Sequence, residues 1–272
     1  MAKFKAEELV MEITRCCNLE CKHCFRGDAQ SAFMSTDTIN NLLSNLYEID
    51  HLVLSGGEPF IAIRQMNEVA DAIHKMGIKV GRISIITNGT LLNSEIMMAL
   101  EKLQLVCGEL SVKVSDDKFH MLELERKGLL NRRNSHLNIL KKLYGAEEYG
   151  TPRREAALSI IESVGRARKI SQEEMDMINS SGEYQTYYAL SDSYWFQGAD
   201  LTLQRKPPYY AGHMLIRSLV NIDVNGYLTD SYASYEDADS HNIDACNINI
   251  VTLLEAVRNN AERLEMVKEK RL

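Results

Sequence analysis

Cys17, Cys21 and Cys24 fall within one short stretch, directly after the apolar run Leu9-Val10-Met11-Glu12-Ile13, which predicts a strand running into a loop. Thiolates are soft ligands suited to iron–sulfur clusters, zinc and copper, and several in one short loop converge on a single metal centre with little further ordering. Three is the informative number. A closed zinc site or an electron-transfer cluster takes four protein ligands, whereas three leave a metal position open for chemistry. Cys107 and Cys246 are distant in sequence. Cys16 as a fourth ligand would have to point at the same centre as Cys17, which the divergence of successive side chains at a strand end disfavours. The alternatives are a zinc site completed by His23 or a loop of unrelated buried thiols.

Downstream, hydrophobic runs alternate with helical periodicity. Ser35-Thr36-Asp37 is suited to cap a helix carrying Ile39, Leu42, Leu43 and Leu46. The run Leu52-Val53-Leu54 ends in Ser55-Gly56-Gly57-Glu58-Pro59, where two glycines permit a sharp turn and close backbone approach, Glu58 adds a carboxylate and Pro59 stiffens the exit. A helix through Val69, Ala72, Ile73 and Met76 is stopped by Gly77, and the strand Ile83–Ile86 ends at Thr87-Asn88-Gly89-Thr90. A helix over Ser94–Leu103 then leads to the strand Leu110–Val114 and to Ser115-Asp116-Asp117. Small hydroxyls and carboxylates there suit ribose hydroxyls, or Asp116 or Asp117 caps a helix. His120 reads as a proton donor or, more simply, as a satisfied first-turn histidine. Four strand–loop–helix units, each with a polar motif after its strand, predict an α/β fold with a parallel sheet and a site at the carboxyl ends of the strands.

The C-x3-C-x2-C spacing, followed by Gly56-Gly57-Glu58-Pro59 and Thr87-Asn88-Gly89, resembles the radical S-adenosylmethionine (radical SAM) superfamily. The resemblance implies a partial (β/α)6 TIM-like barrel and a 4Fe-4S cluster on Cys17, Cys21 and Cys24, whose open iron is chelated by the amine and carboxylate of SAM. It implies reductive cleavage of SAM to a 5'-deoxyadenosyl radical that takes hydrogen from a substrate carbon. His23 stands where the family usually has an aromatic or planar side chain. Gly56, Gly57, Glu58 and Pro59 match the segment that meets the SAM amino group. Asn88 falls beside the SAM site, Ser115 and Asp117 match a ribose-contacting strand end, and Arg166 is a candidate partner for the SAM carboxylate. Lys22 and Arg26 are candidates for docking an acidic flavodoxin or ferredoxin electron donor.

Residues 121 to 155 read as helical with a solvated charged face. Ala157–Ile161 then reads as the fifth barrel strand, placing a core at 1–180 and a C-terminal extension at 181–272 that completes or caps the barrel. Tyr184, Tyr187, Tyr188, Tyr194, Trp195, Phe196, Tyr209 and Tyr210 form an irregular cap or a binding surface, with Pro207-Pro208 extended. Leu219–Asp223 and Tyr227–Asp230 flank Asn225-Gly226, a hairpin signal, and Val251–Arg271 reads as an amphipathic helix. The hairpin and aromatic tail resemble the peptide-modifying branch of the family, which makes a ribosomal natural product the leading substrate. Ser231–Tyr235 after the hairpin holds no cysteine and Cys246 stands alone, which argues against a full auxiliary-cluster domain of that branch. A small molecule or nucleoside is the alternative substrate, and a non-catalytic iron–sulfur or zinc protein is the reading of another class. A formal charge of -7 argues against nucleic acid as a partner. The absence of a long apolar run argues against a membrane, and clustered rather than framework cysteines fit a cytoplasmic protein.

Overall fold

A computed structural model describes residues 3–149, 159–162, 165–171, 173, 184–187, 214–229 and 234–260. Among the described residues, eight strands and five longer helices run in the order β1 (Phe4–Thr14), α1 (Thr36–Ser44), β2 (Leu46–Gly56), α2 (Ile63–Met76), β3 (Lys79–Thr87), α3 (Ser94–Leu105), β4 (Glu109–Ser115), α4 (Lys118–Arg126), α5 (Leu130–Tyr144), β5 (Glu147–Tyr149), β6 (Ser159–Glu162), β7 (Tyr184–Tyr187) and β8 (Met214–Ile222). A short helix, Tyr235–His241, follows. Residues 253–260 are also helical.

Six strands form one open sheet in the order β5-β4-β3-β2-β1-β8, every neighbouring pair parallel. Parallel neighbours need crossover connections, and α1, α2 and α3 supply them for β1 to β4. The expected α/β fold, a partial barrel of parallel strands, is the one observed.

The two faces of the sheet differ in kind. Leu9, Met11 and Ile13 of β1, Leu52 and Leu54 of β2, Ile83 and Ile85 of β3, and Val112 and Val114 of β4 are buried in one core with the helices, including Leu42, Val69, Ile73, Leu100 and Leu140. The intervening residues Glu8, Val10, His51, Val53, Ser55, Ser84, Ile86, Lys113 and Ser115 line a cavity on the other face. Burying each large aliphatic side chain contributes about 1.5–3 kcal/mol, so the helix-covered face carries the stability. The other face is left for polar work.

Local signals set the boundaries. Ser35 Oγ accepts from Thr38 N at 3.0 Å and caps α1, and Gly77 closes α2 in the left-handed conformation at φ 64°.

Three expectations are corrected. The fifth strand of the main sheet is β5, in the span expected to be helical, where its Tyr149 pairs with Ser115. The strand predicted at 157–161 is described over Ser159–Glu162, residues 157 and 158 lying outside the described residues, and pairs with β7 in a separate two-stranded sheet. Leu219–Ile222 forms one arm of the expected hairpin, with the antiparallel bridge Ile222 to Leu228 and Thr229 N donating to Asn221 O at 3.0 Å, but it also ends β8, which pairs with β1. Residue 158 and the rest of the aromatic-rich stretch beyond Tyr187, Pro207-Pro208 included, lie outside the described residues, as do 150–155 and the helix beyond 260.

Two glycines separate conformational need from steric need. A Cβ on Gly77 meets nothing within 4 Å, so Gly77→Ala should cost only the left-handed conformation, about 1 kcal/mol, seen as a fall in Tm of a few degrees. Gly56 combines φ 136° with a Cβ position 2.0 Å from Thr14 O, so Gly56→Ala should cost at least about 3 kcal/mol in denaturant unfolding. Equal losses in the two variants would show that Gly56 is not sterically required.

Candidate active site

The cysteine loop leaves the carboxyl end of β1 and is fastened on four sides. Gly57 N donates to Thr14 O at 2.9 Å and Glu58 N to Cys16 O at 2.7 Å. On the β3 side, Asn88 Nδ2 donates to Asn18 Oδ1 at 2.9 Å, and Asn18 Nδ2 to Thr90 Oγ1 at 2.7 Å. From α4, Glu123 Oε1 accepts from Glu20 N at 3.0 Å, while Leu124 packs against Leu19 and Cys21. The last fastening comes from the 3-10 turn Gly165–Lys169. Arg166 donates from Nε to Cys21 O at 2.9 Å and from Nη1 to Gly27 O at 2.6 Å, and its backbone N donates to Cys24 O at 3.0 Å.

Cys17, Cys21 and Cys24 thereby line one cavity of about 500 Å³ together with Gly56, Gly57, Thr87, Asn88, Ser115, Asp117, His120 and Arg166. All six cysteines are free thiols. Burial pushes the Cys17 thiol up to about 12, and a bound metal cation would stabilise its thiolate. Three thiols lining one partly enclosed cavity are a donor set that would suit an iron–sulfur cluster with an open ligand position. Cys246 is buried in the main core, and Cys107 turns toward Glu109 O at the start of β4. Neither approaches the loop.

Glu58 does not line the cavity. It is 1% exposed and lies behind the loop, accepting from Phe60 N (3.0 Å) and Thr87 Oγ1 (2.7 Å) on one oxygen and from Asn88 N (2.7 Å) on the other. Burial raises its pKa, but three donors with no acceptor facing them favour the carboxylate. Pro59 is buried and opens the short 3-10 turn Pro59–Ile61.

Asp117 caps α4, accepting from Phe119 N and His120 N at 3.0 Å each, and pairs with His120 Nδ1 and, at 3.3 Å, with His23 Nε2. Burial alone would raise its pKa, yet the two histidines hold its carboxyl well below the usual range and His120 is raised in return. His23 stacks on Phe119, ring centroids 4.7 Å apart. Arg26, expected near the surface, is turned inward because Glu12 lies 3.6 Å from its guanidinium. Of the two expected docking cations, Lys22 is the exposed one.

The sequence reading missed two groups. On the inner wall, His51 Nε2 pairs with Ser84 Oγ at 2.8 Å and Nδ1 with Glu8 Oε1 at 3.3 Å, while Lys113 sits over the Tyr149 ring. Beside the loop, Arg15 is buried against Glu12, Asp223, Asp239 and Gln30 and lies over the Tyr235 ring. The period-2 placing of Glu8 and Glu12 within an apolar strand was the available signal.

Two variants test this construction. Glu58→Gln puts an NH2 group against a backbone N–H or the Thr87 hydroxyl, which should cost about 1–3 kcal/mol in thermal unfolding. An unchanged Tm would mean that Glu58 is protonated. Arg166→Lys keeps the charge but cannot bridge two carbonyls, so it should retain less iron than wild type after reconstitution and gel filtration; equal retention would remove Arg166 from the loop's support.

A family model described as the Radical SAM superfamily matches residues 11–174. An uncharacterized protein of Methanocaldococcus jannaschii is 25% identical over 54% of this chain and 50% of its own length. The Fe-coproporphyrin III synthase of Methanosarcina barkeri is 31% identical over 43% of this chain and 31% of its own. The chain thus spans half or less of the length of these curated relatives. Among solved structures, anSMEcpe with bound AdoMet and a Cp18Cys peptide aligns with a TM-score of 0.55 at 14% identity, covering 96% of this chain and 82% of that one. Among the described residues, no helix is long and apolar enough to cross a membrane.

Proposed function

Because this chain belongs to the radical SAM superfamily, we propose that it is an enzyme that generates a substrate radical, with a peptide as the substrate. The observation that carries the reading is the convergence of Cys17, Cys21 and Cys24 on the cavity that the ends of β2, β3 and β4 also line. A 4Fe-4S cluster with SAM supplies reductive cleavage to a 5'-deoxyadenosyl radical, which abstracts hydrogen from a substrate carbon.

The chain's own residues bind and orient. Cys17, Cys21 and Cys24 are the ligands, and Cys16 contributes its carbonyl to Glu58 N. Gly56 and Gly57 offer backbone to the SAM amino group, with Glu58 and Pro59 fixing that backbone from behind. Asn88 and Ser115 face SAM from β3 and β4. Asp117 orients His23 and His120 beside it, and its negative charge complements a sulfonium. Arg166 holds the loop and places a cation at the cavity edge, available to the SAM carboxylate. Lys22 is the exposed cation near the loop for an acidic flavodoxin or ferredoxin. We place the core at 1–180 and assign 181–272 to completing the barrel and meeting the substrate.

The peptide reading is supported by likeness of fold to an enzyme solved with a peptide across nearly the whole chain. A small polar molecule is the second reading, favoured by the inner wall of Glu8, His51, Ser84 and Lys113, whose charges suit a compact polar substrate, and by the identity to a tetrapyrrole-modifying relative.

Anaerobic reconstitution should give about four irons per chain and, with SAM and dithionite, 5'-deoxyadenosine. Alanine at Cys17, Cys21 or Cys24 should abolish both, and Cys16→Ser should abolish neither. Loss of the cluster in Cys16→Ser would overturn the three-ligand assignment, and zinc in place of iron would overturn the function. Deuterium transfer into 5'-deoxyadenosine from labelled peptides or labelled porphyrinogens separates the two substrate readings.

A further inference from the structure

Tyr235 stands outside the span that the family model matches, yet it reaches the cysteine loop. Its backbone N donates to Arg26 O at 2.9 Å, two residues past Cys24. Its ring lies under the Arg15 guanidinium, 4.8 Å from the centroid. Arg15 is itself fixed by Glu12, Asp223, Asp239 and Gln30, so the ring has little freedom. The side chain lines the same cavity as Cys17 and Cys24.

The hydroxyl is the anomaly. Tyr235 is 3% exposed, and among the described residues its OH has no hydrogen-bond partner. A buried unpaired hydroxyl is destabilising and calls for an explanation such as a ligand that completes the site. Glu12 acts on the phenol electrostatically, but its oxygens already face Arg15 and Arg26. The other negative groups that bear on it are the sulfurs of Cys24 and Cys17. Burial keeps the phenol protonated, so it can only donate to an anion.

We propose that Tyr235 donates a hydrogen bond to a sulfide of the cluster held by the cysteine loop, and thereby raises its reduction potential. The inference rests on the cluster reading above. A hydrogen bond to sulfur stabilises the more negative, reduced cluster, and donors of this kind are a recognised means of tuning potential. Tyr235 is a positioning and tuning residue and does not ligate iron.

The test uses the full chain reconstituted anaerobically with iron and sulfide. Tyr235→Phe keeps the ring over Arg15 and removes only the hydroxyl. At a fixed potential, the ratio of reduced to oxidised cluster in an EPR-monitored titration should fall about three- to tenfold, tenfold being about 59 mV for one electron. In D2O, the reduced wild-type cluster should show an exchangeable deuteron by ENDOR in addition to the Leu19 amide, whose N–H already faces Cys17 Sγ at 3.5 Å. Tyr235→Phe should lose that deuteron. An unchanged potential, or a wild-type spectrum with no exchangeable deuteron beyond the amide, overturns the proposal; the second readout needs no variant to fold. A wild-type chain that binds no cluster defeats the functional reading instead, which keeps the two failures apart.

Discussion

The backbone of Gly56 and Gly57 runs so close to Thr14 and Cys16 that no side chain fits between them, and the site depends on that approach. A Cβ on Gly57 would sit 2.2 Å from Cys16 O. Two hydrogen bonds replace the missing side chains, Gly57 N to Thr14 O and Glu58 N to Cys16 O. They prolong the pairing of β1 with β2 beyond the last ladder residues and carry the rigidity of the sheet into the start of the cysteine loop. Glu58 then passes the constraint to the end of β3 through Thr87 and Asn88. Glu58 thus ties the end of β1 through its backbone N–H and the end of β3 through its carboxylate, without lining the cavity.

Charge is distributed around the loop in the same economical way. Arg15 and Glu12 are both almost fully buried and in contact, with Asp223 closing the group from the far end of β8. Burial and Glu12 push the Asp223 carboxyl up to about 6, against the pull of Arg15 and two backbone donors. A folded-state value above the ordinary one means that stability falls as pH rises from about 4 through 6, where the buried group must ionise. The opposite case is Asp117, held ionised by His120 and His23, whose contribution is present at neutral pH and lost only on strong acidification. The pKa values of the two carboxyls are thus shifted in opposite directions.

Legibility in the sequence followed periodicity and local chemistry. The strand–helix alternation through Ser115, the Ser35 cap and the Gly77 stop are local, and each is readable from a few residues. The cysteine triplet is equally local. The strand at 147–149 was not readable because three charged or polar-tipped residues carry no β pattern, and they pair with β4 only through tertiary context. β8 was read as a hairpin arm because Asn225-Gly226 announces a turn, while its pairing with β1 is a contact between residues some two hundred positions apart. Arg15 and Tyr235 escaped for the same reason. Their roles exist only once the chain ends of β1 and the helix Tyr235–His241 meet.

The turn at 165–169 has a further consequence for the order in which the molecule assembles. Gly165 packs against Phe25 and Gly27 so tightly that its Cβ would lie 2.2 Å from Phe25 O, and Arg166 grips carbonyls 139 and 145 positions earlier. Contacts of such long range form late, because the loop-closure entropy must be overcome before they return anything. In a nascent chain all three thiols precede Arg166 by at least 142 positions, 166 − 24, and the loop that aims them is unfinished until residue 166 has been made and docked. The aim of the three thiols is thus set by residues far downstream of them, and the loop reaches its final geometry only once the turn at 165–169 has docked.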